Sequence, residues 1–276
     1  MSRFVALMTS EPFLVRCELH RVRAEVSLDE PNQAVGVGAY EDHTALLRRY
    51  GPGAPRTDLW EAPESDAVVL MAQSLPVGQS LEDNVQPFRF RQWLFAQAGH
   101  VERPDGVRAA LMESVPDYLQ RAVRGGTVGE MMFATFLKNL RNIGRMEDPG
   151  LEAPVAAQVL AQTARTVEQV ASEVAGPGKS QLAFVATNGR MLVAAARGQT
   201  HLFYRPLEGE GTCDRCGLKA GGKDSEPLVR DHRRRRSIVV ATHPLKPQAW
   251  MPLADAGAIA VDKKVQLHVL APTDVR

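Results

Sequence analysis

The sequence predicts an α+β domain in which a first group of strands is followed by a block of helices and then by a second group of strands. Three observations carry this reading. The chain opens on a short apolar run, Arg3-Phe-Val-Ala-Leu-Met8, long enough for a buried strand and too short for a helix. Its middle repeats apolar residues at a spacing near 3.6. Beyond the middle, apolar runs flank Asn188-Gly189, a dipeptide suited to a tight hairpin turn.

Taken in order, residues 3–8 form the first strand and anchor position 2. Residues 35–40 and the apolar return through Ala45 to Leu47 predict a hairpin, and 67–73 and 93–98 supply two more strands. Helical periodicity covers 106–123, 127–140 and 153–174. Thr127 and Glu130 have the spacing of a capping box, the threonine accepting from a free N–H while the glutamate reaches back. Gly176-Pro-Gly178 stops the last helix. Strands are then expected at 181–187, 191–197, 200–204, 237–242, 258–261 and 265–270, with Asn188-Gly189 as a two-residue turn. Between them, 208–236 is polar, glycine-rich and basic, and reads as a surface insertion in a single domain spanning 1–276. No internal repeat and no second-domain linker are visible.

The 276 residues are enough for a sizeable core, and 44% are hydrophobic. Thirty-three Lys and Arg against 32 Asp and Glu leave no overall field to recruit nucleic acid or an anionic membrane. No apolar run approaches the roughly 20 residues that span a bilayer, and Glu11 and Arg16 interrupt the place of a secretion signal, so a cytoplasmic protein is expected.

In this order the segments resemble a class II glutamine amidotransferase of the compact bacterial kind. The resemblance rests on Met1-Ser2-Arg3 before an apolar strand, Gly36-Val-Gly38-Ala-Tyr40 with Glu41-Asp42, Asn84-x-x-Pro87-Phe88, Trp93-Leu-Phe95-x-x-x-Gly99, Thr127-x-x-Glu130, Ala186-Thr-Asn-Gly189, and Val239-Val-Ala241-x-x-Pro244-Leu245 with Trp250. Their shared order covers nearly the whole chain. The resemblance implies a four-layer αββα sandwich of the N-terminal-nucleophile hydrolase type. It also implies that removal of Met1 frees position 2 as nucleophile, its own α-amine serving as base.

The positions that the resemblance assigns to chemistry depart from the pattern. Ser2 stands where the family has cysteine, and a hydroxyl is far harder to deprotonate than a thiol. The arginine that clamps the substrate carboxylate is replaced by Ser74 or a neighbour, and no arginine lies between Arg56 and Arg89. The oxyanion pair of Asn and Gly reads Ala98-Gly99, so one of two donors is lost, and Val128 occupies the place of the aspartate that holds the substrate ammonium. Residues that turn, cap or pack are kept, and residues that would touch glutamine are lost. This points to a binding or regulatory pseudoenzyme; the alternative is a Ser2-dependent amidohydrolase acting on another amide.

Cys213-x-x-Cys216 is half of a tetrahedral zinc site or an unliganded reduced pair in a loop. His232 and His243 are the nearest further ligands, with Asp214, Asp231, a partner chain and Cys17 also eligible. Arg230 and Arg233 to Arg236 form a basic run, read as a solvated loop because no aromatics interleave with it. Trp60, Trp93 and Trp250 are expected in the core. The partner, a protein or a small ligand, is not named by the sequence, and a homo-oligomer stays open.

Overall fold

The computed structural model describes residues 2–26, 28, 30–75, 78–178, 180–199 and 201–274. Met1, whose removal is expected above, and Thr200, the expected start of a strand, lie outside them. The elements run β1 (Arg3–Thr9), α1 (Val15–Val22), β2 (Ala34–Glu41), β3 (Thr44–Tyr50), β4 (Ala67–Gln73), α2 (Leu81–Asn84), β5 (Phe88–Phe90) and β6 (Trp93–Val101). The helical middle follows as α3 (Pro104–Ser114), α4 (Asp117–Gln120), α5 (Val128–Asn142) and α6 (Ala153–Ala175). Then come β7 (Ser180–Thr187), β8 (Leu192–Arg197), β9 (Leu202–Glu208), α7 (Pro227–Arg234), β10 (Arg236–Thr242), β11 (Met251–Pro252), β12 (Ala258–Val261) and β13 (Leu267–Leu270).

Two antiparallel sheets stack face to face. Sheet A has the order β11-β9-β10-β1-β4-β2-β3, and sheet B has β13-β12-β8-β7-β6-β5. Side chains alternate between the faces, as the pleat requires. In β1, Phe4, Ala6 and Met8 point into the inter-sheet core, while Val5 and Leu7 point to the outer face. Burial on both faces explains why these strands read as continuous apolar runs. The inter-sheet layer is rich in small residues, with Ala96, Ala98, Ala183, Ala194 and Ala196 on the sheet B side. Tyr40 joins the sheets: its hydroxyl lies 2.8 Å from both the Gln92 and the Thr187 carbonyl oxygens.

The outer face of sheet B is covered by α5 and α6, with α3 packed against both helices. Phe95 is central there, stacked on Phe133 at 5.3 Å between ring centroids and tilted against Phe184 at the same distance. The outer face of sheet A carries a thinner layer, in which Val15, Leu19 and Val22 of α1 pack with Leu59 and Ala62. The architecture is thus an α+β sandwich with helices outside both sheets. Trp93 and Trp250 are buried, and Trp60 packs on the outer core of sheet A. Among the described residues no helix is long and apolar enough to cross a membrane.

Several local expectations are corrected. The helix expected over 106–123 breaks into α3 and α4, because Pro116 forces Val115 to an extended conformation (φ −89°, ψ 133°). The β7–β8 turn spans four residues, not two: only Gly189 has positive φ, and Asn188 Oδ1 accepts from the N–H of Arg190 and Met191. Thr127 sits at the N-cap of α5, but its hydroxyl makes no cap bond. Glu130 reaches past it to the backbone N–H of Arg124 and Gly125, at 2.9 and 2.6 Å. The insertion at 208–236 is bracketed by the paired ends Glu208 and Arg236, yet it contains the helix α7, and Arg235 turns inward to a buried ion pair with Glu18. The basic run is therefore not one surface patch.

Replacing Phe95 removes the aromatic centre of the helix-facing core. Phe95→Ala is expected to destabilise the chain by about 3–5 kcal/mol in urea unfolding; a loss under about 1 kcal/mol would contradict this packing.

Candidate functional site

Ser2 lies at the open end of β1, partly exposed. The register Arg3↔Ala72 places it, one step on, opposite Gln73 at the end of β4. Alternation turns both toward sheet B, because Phe4 and Met71, two residues further in, line the inter-sheet core. Ala98 of β6 packs in that same core and is fully buried.

What fills this end is a network built by the side chains of Gln73 and Gln86 and the backbone of Gln97. Gln73 donates through Nε2 to the Asn84 carbonyl at 3.0 Å and accepts from the Gln86 N–H at 2.9 Å. Gln86 donates through Nε2 to the Gln97 carbonyl at 3.2 Å and accepts from the Gln97 N–H at 2.6 Å, so its side chain pairs with β6 as a strand backbone would. Asn84 Oδ1 then accepts from the Gly126 N–H at 2.8 Å, extending the network to the loop held by Glu130. The three amides are at most 8% exposed. Such groups are tolerated inside only when bonded, and here the Gln73 and Gln86 amides both find backbone partners.

The expected site residues are therefore distributed as follows. Ser2 stands at the end of β1, and Ala98 is buried within the inter-sheet core. Ser74 is exposed beyond the end of β4, and it is Gln73 that points inward. Gly99 has φ +106°, and a Cβ there would stand 2.0 Å from the Gln181 carbonyl oxygen, so glycine is required by the close approach of β7. Val128 begins α5 and packs, partly buried, on the helical core. The glutamine network is what sequence reasoning missed. Its signal was three amides inside or beside apolar strand runs.

A cleft of about 590 Å³ opens beside this network and not through it. Arg49, Arg89, Arg91, Arg121 and Arg124 line it against Glu82, Asp83 and Glu130, and neither Ser2, Ser74, Ala98, Gly99 nor Val128 does. Burial pushes the Arg49 guanidinium down from its usual range. Burial likewise raises the Glu130 carboxyl, opposed by the two backbone N–H groups that it accepts.

Away from this end, Cys213 and Cys216 meet Cys17 of α1 and His232 of α7, with one ligand atom from each lying within 4.8 Å of all the others. Among the described residues this is the only such group of three or more. Asp214 and Asp231 are not part of it. His243 is elsewhere, its ring 6.3 Å from that of His201. Burial, the neighbouring Cys216 sulfur and the Cys213 charge push the Cys17 thiol well above its ordinary value.

Gln86→Leu keeps volume but strips the partners from the buried N–H and carbonyl of Gln97. It is expected to cost about 1–3 kcal/mol for each group orphaned, read by urea unfolding; a neutral substitution would mean that these bonds do not hold the site.

No family profile matches the sequence, and no curated protein matches it. Solved structures do match in fold. A glutamine aminotransferase class-II domain protein from Silicibacter pomeroyi superposes with a TM-score of 0.59 at 15% identity, over 98% of this chain and 100% of the other. A predicted glutamine amidotransferase from Pseudomonas aeruginosa gives 0.57 at 15% identity, over 98% and 95%. The glutamine phosphoribosylpyrophosphate amidotransferase of B. subtilis gives 0.55 at 11% identity, over 98% of this chain but only 49% of the longer protein. The strand order, the two stacked sheets and these superpositions together show that the chain has the fold of a class II glutamine amidotransferase domain, of the N-terminal-nucleophile hydrolase type.

Proposed function

We propose that this chain is a glutamine amidotransferase-like protein that does not hydrolyse glutamine and acts through binding, as a pseudoenzyme of the cytoplasm. The observation that carries this reading is the glutamine network. Hydrolysis of a glutamine amide needs a strong nucleophile, an ionic clamp for the substrate carboxylate and donors aimed at the developing oxyanion. In this reading the positions for those parts are taken by the hydroxyl of Ser2, the neutral amide of Gln73, which is bonded to backbone, and the methyl of Ala98. Val128 adds no charge to meet an ammonium. The departures fall on separate parts of one mechanism, and loss of one oxyanion donor alone costs about 10²–10³ in rate.

The binding surface in this reading is the arginine-lined cleft beside the network, where five guanidinium groups face three carboxylates. That balance favours an anionic ligand or an acidic surface of a partner protein. A Ser2-dependent hydrolase of another amide is the second reading, favoured by the partial exposure of Ser2 at its strand end.

Ammonia release from glutamine tests the proposal. The unmodified chain is expected to match the enzyme-free blank, and Ser2→Cys alone is expected to recover almost nothing, because the penalties act as a unit. Combining Ser2→Cys with Gln73→Arg, Ala98→Asn and Val128→Asp is expected to give measurable release. Substantial glutaminase activity in the unmodified chain would overturn the reading. Turnover of a different amide that disappears in Ser2→Ala would establish the hydrolase instead.

A further inference from the structure

The geometry points to a structural zinc site of three thiolates and one imidazole, formed by Cys17, Cys213, Cys216 and His232. Zinc takes tetrahedral sulfur and nitrogen ligands at about 2.0–2.3 Å, which places neighbouring ligand atoms about 3.8 Å apart. The Cys17 and Cys216 sulfurs are 3.5 Å apart, and the four ligand atoms all lie within 4.8 Å of one another. A metal could therefore be received once the widest-spaced ligand atoms close by at most about 1 Å.

The imidazole is prepared for this role. His232 Nδ1 lies 2.8 Å from the Leu228 carbonyl oxygen, one turn back in α7, so Nδ1 carries the proton and donates it. That leaves Nε2 with a free lone pair. The His232 side chain is fully buried, and Nε2 has no hydrogen-bond partner. An orphaned buried nitrogen is costly, and a metal bond relieves the cost. A ring nitrogen held by a carbonyl while the other faces the ligand cluster is the usual outer arrangement of a zinc histidine.

The cysteine pair is prepared as well. Cys213 and Leu218 exchange both backbone bonds, at 3.0 and 2.9 Å, closing a tight loop around Cys213-Asp-Arg-Cys216. Gly217 takes φ +69° to complete it and donates to the Asp214 carbonyl at 3.3 Å. Both sulfurs are thereby directed at one point. Arg215, between them in sequence, is fixed to Glu61 at 2.6 Å and sets positive charge beside a cluster that would carry net negative charge when metallated.

The site also answers a problem of stability. From Gly209 to Arg235 the only buried apolar side chain is Val229, so this excursion cannot hold itself by hydrophobic burial. A metal that joins the loop to α1 and α7 supplies the cross-link.

Elemental analysis of the full-length chain, purified under reducing conditions, is expected to show about one zinc per chain. Cobalt substituted for zinc should give the intense visible absorption and thiolate charge-transfer bands of a tetrahedral, three-sulfur site. Excess chelator should lower the melting temperature and open residues 209–235 to protease. Cys17→Ser and His232→Ala should each weaken zinc binding by more than the roughly 10–100-fold that loss of an outer partner costs. Metal-free protein with three freely titrating thiols, a Cys17–Cys216 disulfide in freshly isolated protein, an octahedral cobalt spectrum, or full zinc retention in the Cys17→Ser, His232→Ala double variant would each overturn the assignment. Because the cobalt spectrum is read on the unmodified chain, a variant that fails to fold does not protect the claim.

Discussion

Strand β1 is held between β4 and β10 and is buried on both faces, against sheet B on one side and α1 on the other. Its position is therefore fixed by the whole sandwich, and so is the position of Ser2 at its end. The small side chains of the inter-sheet layer let the sheets approach, which brings the end of β4 and the flank of β6 to the same place. Whatever side chains stand there determine what the fold can do.

In this chain those side chains are neutral amides. The Gln73 and Gln86 amides bond to the backbone of Asn84, Gln86 and Gln97, and the Gln86 pairing with β6 behaves like an added strand. Such a network stabilises only when complete, since a buried group left without its partner loses a full desolvation penalty. Charged side chains stand next door, in the cleft of Arg49, Arg121 and Arg124.

The sequence made the sheets legible for a physical reason. Strands such as 67–73 and 258–261 are buried on both faces, so their apolar runs are unbroken and their bounds agree with the structure. Helix α1 is only eight residues long, and its signal, Val15, Leu19 and Val22, is a single stripe that the reading above does not assign. Helix α7 is strongly polar, and its buried face is little more than Val229 and His232. The glutamine network stayed hidden because its partners are backbone groups, which composition does not display. Cys213 and Cys216 were visible as half a site. Choosing Cys17 and His232 over His243 required knowing that α1 and the insertion lie side by side.

The central claim is that the end of β1 no longer supports nucleophilic attack on glutamine. It is tested most directly by incubating the full-length chain, its terminus processed as in the cell, with an electrophilic glutamine analogue that alkylates an N-terminal nucleophile, and then recording intact mass and peptide maps. The expected result is an unchanged mass at an analogue concentration that fully labels an active class II amidotransferase. A stoichiometric adduct mapped to Ser2 would contradict it.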